Sequence, residues 1–136
     1  SMALITWTNA LSVGITEIDR QHQHLIHLIN DLHEAMKAGK AKEVLGETLK
    51  NLSDYTVYHF GTEERMFKET GYPGAQAHLA EHRSFTREIL DIRARFDAGG
   101  AVITIDLLQF LRDWLNDHIK GVDKRYTSFF HSKGIQ

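Results

Sequence analysis

The sequence predicts an all-α fold, an antiparallel up-down-up-down four-helix bundle behind an irregular N-terminal arm, and three observations carry that prediction. Four segments repeat apolar residues at alternating spacings of three and four, the signature of one buried stripe on a helix. Glycine-bearing breaks, "KAGKA", "KETGYPGA" and "DAGGAVI", separate the segments. Stretches rich in β-formers, such as "AVITI", are short and lack partners joined by hairpin turns. Short connections between four helices make neighbours antiparallel.

The arm covers residues 1–18, and Asp19 stands where it can cap the first helix. That helix runs to about Lys37 with Gly39 as its stop, and its stripe is His22, Leu25, Ile29, Leu32 and Met36. The second runs from about Ala41 to Lys68 and is ended by Gly71 and Pro73; it carries Leu45, Leu49, Leu52, Thr56, His59, Glu63 and Met66 inward. The third runs from about Gly74 to Asp97 with His78, His82, Phe85, Ile89, Ile92 and Phe96 in register. The fourth starts near Thr104 and turns Leu108, Leu111, Leu115, His118 and Val122 inward, with Trp114 alongside. The bundle and its closing segment occupy residues 19–131, a tail follows over 132–136, and residues 1–136 form one domain.

A chain of 136 residues buries a core without disulfides or an obligatory structural metal, so a metal here would serve chemistry. A net charge of -2 offers no basic footprint for nucleic acid and no polybasic face for anionic lipid. No apolar run approaches the roughly 20 residues of a membrane span. A cytoplasmic protein is expected, and few large exposed apolar positions favour a monomer. Ser1 reads as a cloning remnant, which leaves room for a longer natural chain. With no cysteine, any metal must be held by nitrogen and oxygen. The compositional oddity is nine histidines.

In an up-down bundle the start of the first helix, the end of the second, the start of the third and the end of the fourth share one end of the core. His22, His59, Glu63, His78, His82 and His118 all fall there. A lone histidine on an apolar stripe is ordinarily a hydrogen-bonded core residue. Packing this whole set together without a cation would cost a few kcal/mol for each unsatisfied group, about 2 or more apiece, so the set points to metal. His24 and His27 flank the stripe, His33 borders it and His131 lies near the tail; these four are expected to be solvated or at the rim. Asp123 follows His118 by five positions, about 140° around an ideal helix. The two diverge unless the helix loosens or ends, as Gly121 permits. Asp123 is then either a solvated acid or a second carboxylate opposite Glu63.

Five imidazoles and two carboxylates exceed the needs of a tetrahedral zinc and suit two ions of higher coordination sharing carboxylate bridges. The nitrogen-rich shell favours iron among abundant redox metals, while ligand type alone leaves manganese, cobalt and zinc open. Ferritin-like di-iron oxidases carry Glu-x-x-His pairs, and this sequence has none. The order H…H-x3-E…H-x3-H…H-x4-D, spread over four helices, resembles the hemerythrins, and the opening "TW…VGI…ID…H" is similar to their bacterial, single-domain form. The resemblance spans nearly the whole chain. It implies that His78, His82 and His118 hold one iron and His22 and His59 the other. Glu63, Asp123 and an oxo or hydroxo group would bridge the Fe2+/Fe3+ pair, and the second iron would be left one ligand short for O2. It further implies that Trp114 and Leu115 wall the O2 pocket and that Tyr72 lies near the bridging glutamate.

The expected function is therefore reversible O2 binding, for storage, delivery or sensing, rather than catalysis. One rival is an inverted zinc-protease motif, since "HLAEH" is literally H-x-x-E-H, but Glu81 sits off the stripe and is expected to face solvent. Another is a di-iron enzyme that reduces peroxide or nitric oxide. A third is a sensor domain from a larger signalling protein, which would need flanking segments.

Overall fold

A computed structural model describes residues 3–100 and 103–136. Ser1 and Met2 of the arm, and Ala101 and Val102 within the last break and the "AVITI" stretch, lie outside the described residues. The elements are α1 (Thr16–Lys37), α2 (Lys42–Thr70), α3 (Ala75–Asp97), α4 (Ile105–Gly121) and a short α5 (Thr127–Ser132), with no strand among the described residues. The four long helices form the four-helix bundle.

The stops act as the sequence suggested. Gly71 adopts φ +71°, a left-handed conformation open to glycine at little cost, and its N–H closes α2 on the Phe67 carbonyl at 2.8 Å. Thr104 caps α4 by accepting the Leu107 N–H at 3.1 Å.

The start of α1 departs from expectation. The helix begins at Thr16, behind an Ile15 that makes no side-chain cap, so Asp19 is not the N-cap. Asp19 instead sits in the first turn and reaches back, accepting the Val13 N–H at 2.8 Å and the Ser12 hydroxyl at 2.5 Å. Its negative charge suits that end of the helix. The arm is also less irregular than its composition implied. Ile5, Leu11, Val13 and Ile15 are buried, Asn9–Leu11 form a 3-10 turn, and the Asn30 side chain bonds both the N–H and the carbonyl of Ile5.

The closing segment clasps this arm from the other terminus. The Thr127 hydroxyl donates to the Val13 carbonyl and the His131 imidazole to the Gly14 carbonyl, each at 2.7 Å. His131 is thus exposed but engaged, and α5 carries the helical fold one residue past the expected boundary, to Ser132. Leu32, Leu49, Ile89, Phe96, Leu108 and Leu111 fill the core away from the polar end.

Candidate metal centre

The polar end of the core is built by α1, α2, α3, α4 and the turn after α4. His22 lies in the second turn of α1, and His59 and Glu63 lie one turn apart in the last third of α2. His78 and His82 lie one turn apart at the start of α3, with His118 in the last turn of α4. Asp123 joins them because α4 ends at Gly121 and a 3-10 turn, Asp123–Tyr126, follows at once. The break redirects the chain and brings the Asp123 carboxylate to 3.0 Å from His118 Nε2. Gly121 keeps a negative φ with open space around it, so its flexibility is not what the break requires.

All seven side chains are essentially inaccessible to solvent, none being more than 3% exposed. Their donor atoms fall into two groups, each within 4.8 Å of its fellows: Glu63, His78, His82, His118 and Asp123 in one, His22, His59, Glu63 and Asp123 in the other. The groups share both carboxylates, and the second has one donor fewer.

The imidazoles crowd those carboxylates without bonding them well. His22 Nε2 lies 3.1 Å from Asp123 Oδ2, and His78 Nε2 lies 2.8 Å from Oδ1. His59 and His82 Nε2 lie 3.3 and 3.1 Å from the one Glu63 oxygen Oε1. Yet Nε2 of His22, His78, His82 and His118, with Glu63 Oε1 and both Asp123 oxygens, has no hydrogen-bond partner. Orphaned buried atoms on this scale are foreign to a finished polar core, and a cation shared by the same atoms would satisfy them together. The outer nitrogens show which lone pairs are free. Nδ1 of His59 meets Gln21 Oε1 at 2.7 Å, and Nδ1 of His82 and His118 meet Glu64 and Glu81 at 3.0 Å. Each acceptor fixes the proton on Nδ1 and leaves Nε2 as an inward-pointing base, the tautomer that binds a metal. The residues therefore fit two cations held by nitrogen and oxygen.

The electrostatics agree. Burial, with neighbouring imidazoles adding to it, lowers His59 and His82 to about 4, which keeps both neutral. Burial also pulls His118 down, but the Asp123 carboxylate 3.0 Å from its Nε2 and the negative charge there outweigh it and raise the group to about 9. Burial pushes Glu63 up, helped by repulsion from Asp123. Asp123 stays well below the usual carboxylate range despite its burial, because the imidazoles of His118, His22 and His78 lie against it. Metal binding at His118 therefore competes with the proton that this neighbourhood favours on it.

The hydroxyl that meets Glu63 belongs to Tyr126, which donates to Oε2 at 2.5 Å. Tyr72 packs behind it, 5.2 Å from the Phe67 ring and 6.2 Å from the Tyr126 ring. A Cβ on Gly74 would lie 2.7 Å from the Tyr72 hydroxyl, so the Gly-Pro loop is shaped to receive that ring. Glu81, expected in solvent, is half exposed but bound to His118, and His33, expected at the rim, is buried. His24 and His27 are exposed as expected. Trp114 stacks on His118 with ring centroids 4.5 Å apart. With Leu115 it lines an apolar cavity of about 10 Å³, together with Leu25, Thr56, Phe60 and Leu111.

Gln21, Glu64 and Tyr126 escaped the sequence reading, as did the bond of Glu81 to His118. Gln21, Glu64 and Glu81 each adjoin an inward-facing histidine or glutamate in the chain, so a polar neighbour one residue off the stripe was the available signal. Tyr126 lies past the break after α4, where helical periodicity gives no direction.

Comparison with known proteins agrees with this geometry. The family described as Hemerythrin HHE cation binding domain matches residues 13–129. A Bacteriohemerythrin of Stenotrophomonas maltophilia is 38% identical over 126 residues, covering 93% of this chain and 81% of that one. One of Methylococcus capsulatus is 39% identical over 126 residues, covering 92% of this chain and 95% of that one. The crystal structure of a wild-type hemerythrin superposes with a TM-score of 0.89 at 37% identity, covering 93% of this chain and 97% of that chain. With the motif order, the bundle and the match along nearly all its length in accord, this chain belongs to the hemerythrin family.

Proposed function

We propose that this protein binds O2 reversibly at a non-haem di-iron centre, for storage, delivery or sensing of oxygen. The observation that carries the reading is the pair of donor groups that share Glu63 and Asp123 while one group has a donor fewer than the other. His78, His82 and His118 would hold one iron, His22 and His59 the other, and the two carboxylates both. Bound iron supplies the redox capacity and the open coordination position that O2 uptake requires.

The chain's own residues set the conditions for reversibility. Gln21, Glu64 and Glu81 lock three imidazoles in the ligating tautomer, so no reorientation is needed on metal entry. Tyr126 holds Glu63 from behind. The cavity wall made by Phe60, Leu111, Trp114 and Leu115 is apolar, and the Thr56 hydroxyl is turned back onto the Leu52 carbonyl at 2.8 Å. Its volume, about 10 Å³, is space for about one small molecule, and a mostly apolar lining disfavours water. These residues keep water and its protons away from the centre.

The test is to reduce the metal-analysed protein anaerobically and then admit air. A visible band that appears with O2 and vanishes on degassing supports carriage. Irreversible oxidation, with turnover of added peroxide, would overturn it in favour of an enzyme.

A further inference from the structure

An iron centre that loses its electrons stays silent until they are restored, and this chain has no cysteine with which to hold or relay them as thiols. Electrons must arrive from outside, across a shell that buries every donor. Among the described ring contacts, three aromatic residues stack on an imidazole of the centre. Phe60 stacks on His82 at 3.8 Å and Tyr126 on His78 at 5.6 Å, but both stacking rings are themselves buried. Trp114 stacks on His118 at 4.5 Å with only 12° between the planes, and it is only partly buried. Its ring therefore spans from the surface to the centre in a single side chain.

The surface around that ring has the make-up of a docking site. Phe85 stacks against Trp114 at 3.9 Å and against Phe110 at 6.4 Å, and Phe110 is 37% exposed. Carboxylates border this aromatic seam between α3 and α4. Glu81, Phe85 and Glu88 share one stripe of α3, and Phe110, Trp114 and Asp117 share one stripe of α4, each at spacings of four and three. Arg112 is paired with Asp113 at 2.9 Å and Arg95 with Asp91 at 3.0 Å, which leaves Lys120, one turn past Asp117, as the other cation on α4. An aromatic centre with a charged rim is the usual anatomy of an interface, and the rim's sign selects a basic partner.

We propose that the α3–α4 seam docks a basic one-electron carrier protein and that Trp114 passes its electrons to the centre through His118. The proposal rests on the di-iron reading above. Each ferric ion gains one electron from one reduced carrier, which is oxidised by one electron; two carriers serve one centre, and no covalent bond in this chain forms or breaks. The competing entry lies between α2 and α3, where Arg83 and Arg87 flank a cleft over His82 and Glu64, and it would suit an acidic carrier.

The test uses the iron-loaded protein with a basic c-type cytochrome as probe. Binding is measured by calorimetry with the redox-inert zinc-substituted cytochrome, and reduction of the ferric centre by stopped flow with the ferrous cytochrome. Glu88→Lys with Asp117→Lys should weaken binding and slow reduction by about tenfold at low salt, flatten the salt dependence of both, and leave the O2 band intact. Trp114→Phe, which keeps a packed ring, should bind as before but accept electrons about tenfold more slowly. Binding and rate indifferent to the charge reversal would overturn the proposal, as would faster reduction by an acidic ferredoxin or full-rate reduction of the Trp114→Phe protein. A protein that forms no reversible O2 band fails the di-iron reading instead, whatever its response to the carrier.

Discussion

Replacing Tyr126 by phenylalanine isolates one hydrogen bond at the heart of the site. Tyr126 and Glu63 are both fully buried, and the phenol donates to Glu63 Oε2 at 2.5 Å. The ring itself packs on Phe130 at 4.7 Å and on His78 at 5.6 Å, contacts that phenylalanine would preserve. The loss is therefore one hydrogen bond to a carboxyl group that has no donor at its other oxygen. A hydrogen bond to a charged group contributes roughly 1.5–3 kcal/mol, and Glu63, already pushed up by burial and by Asp123, would partly escape the loss by taking a proton. A net cost of about 2 kcal/mol is expected. At roughly 2.1 cal/mol/K of unfolding entropy per residue, a chain of 136 residues would melt about 7 °C lower. Thermal unfolding of the metal-free protein, followed by helical circular dichroism, measures this without stabilisation by iron. A drop of less than about 2 °C, or a rise, would mean that Glu63 finds another donor and that Tyr126 does not hold it.

Four further outcomes are expected. Glu63→Ala or His59→Ala should abolish loading of two irons per chain while the helices persist, because the rest of the core is conventional; metal analysis finding both irons in either variant would contradict the assignment. Leu115→Ala should keep its iron, lose about 2–5 kcal/mol of stability as the small cavity beside it grows, and let the oxygenated form decay faster. An unchanged decay rate removes Leu115 from the pocket wall. Stripping the metal should lower the melting temperature by about 19 °C, at about 2.7 kcal/mol for each of two irons, relative to protein with free ferrous iron at about 100 times its dissociation constant; anaerobic melts with and without chelator that coincide would refute it. Asp19→Ala should free the arm, costing about 2 kcal/mol, with hydrogen exchange at Val13 speeding up well ahead of exchange in α3.

The parts of this structure that were legible in the sequence are those governed by helical period. His78, His82, Phe85, Ile89, Ile92 and Phe96 fall on one stripe of α3, and all six are buried there. Gly71 and Thr104 marked helix ends through backbone chemistry that is local to a few residues. The same logic misplaced Asp19, because an acid four residues into a helix resembles a cap in composition and differs only in the carbonyls and N–H groups it meets. It was silent on Tyr126 and undecided on Asp123, since both follow the end of α4 and their direction depends on a 3-10 turn that no period announces. Glu81 shows a further limit. One residue off the stripe is far enough to be solvated and near enough to reach the neighbouring helix, and the length of the glutamate side chain decides for His118. His33, buried with its Nδ1 unpartnered, has no account in this structure.

The central claim is that two ions share Glu63 and Asp123 and that one of them keeps a coordination position free. A crystal structure of the anaerobically reduced, iron-loaded protein tests it most directly. The expected result is two irons per chain, one with His78, His82 and His118, the other with His22 and His59, and the latter one ligand short. A lone ion, two ions with equal and complete ligand sets, or a carboxylate bound to one iron only would contradict it.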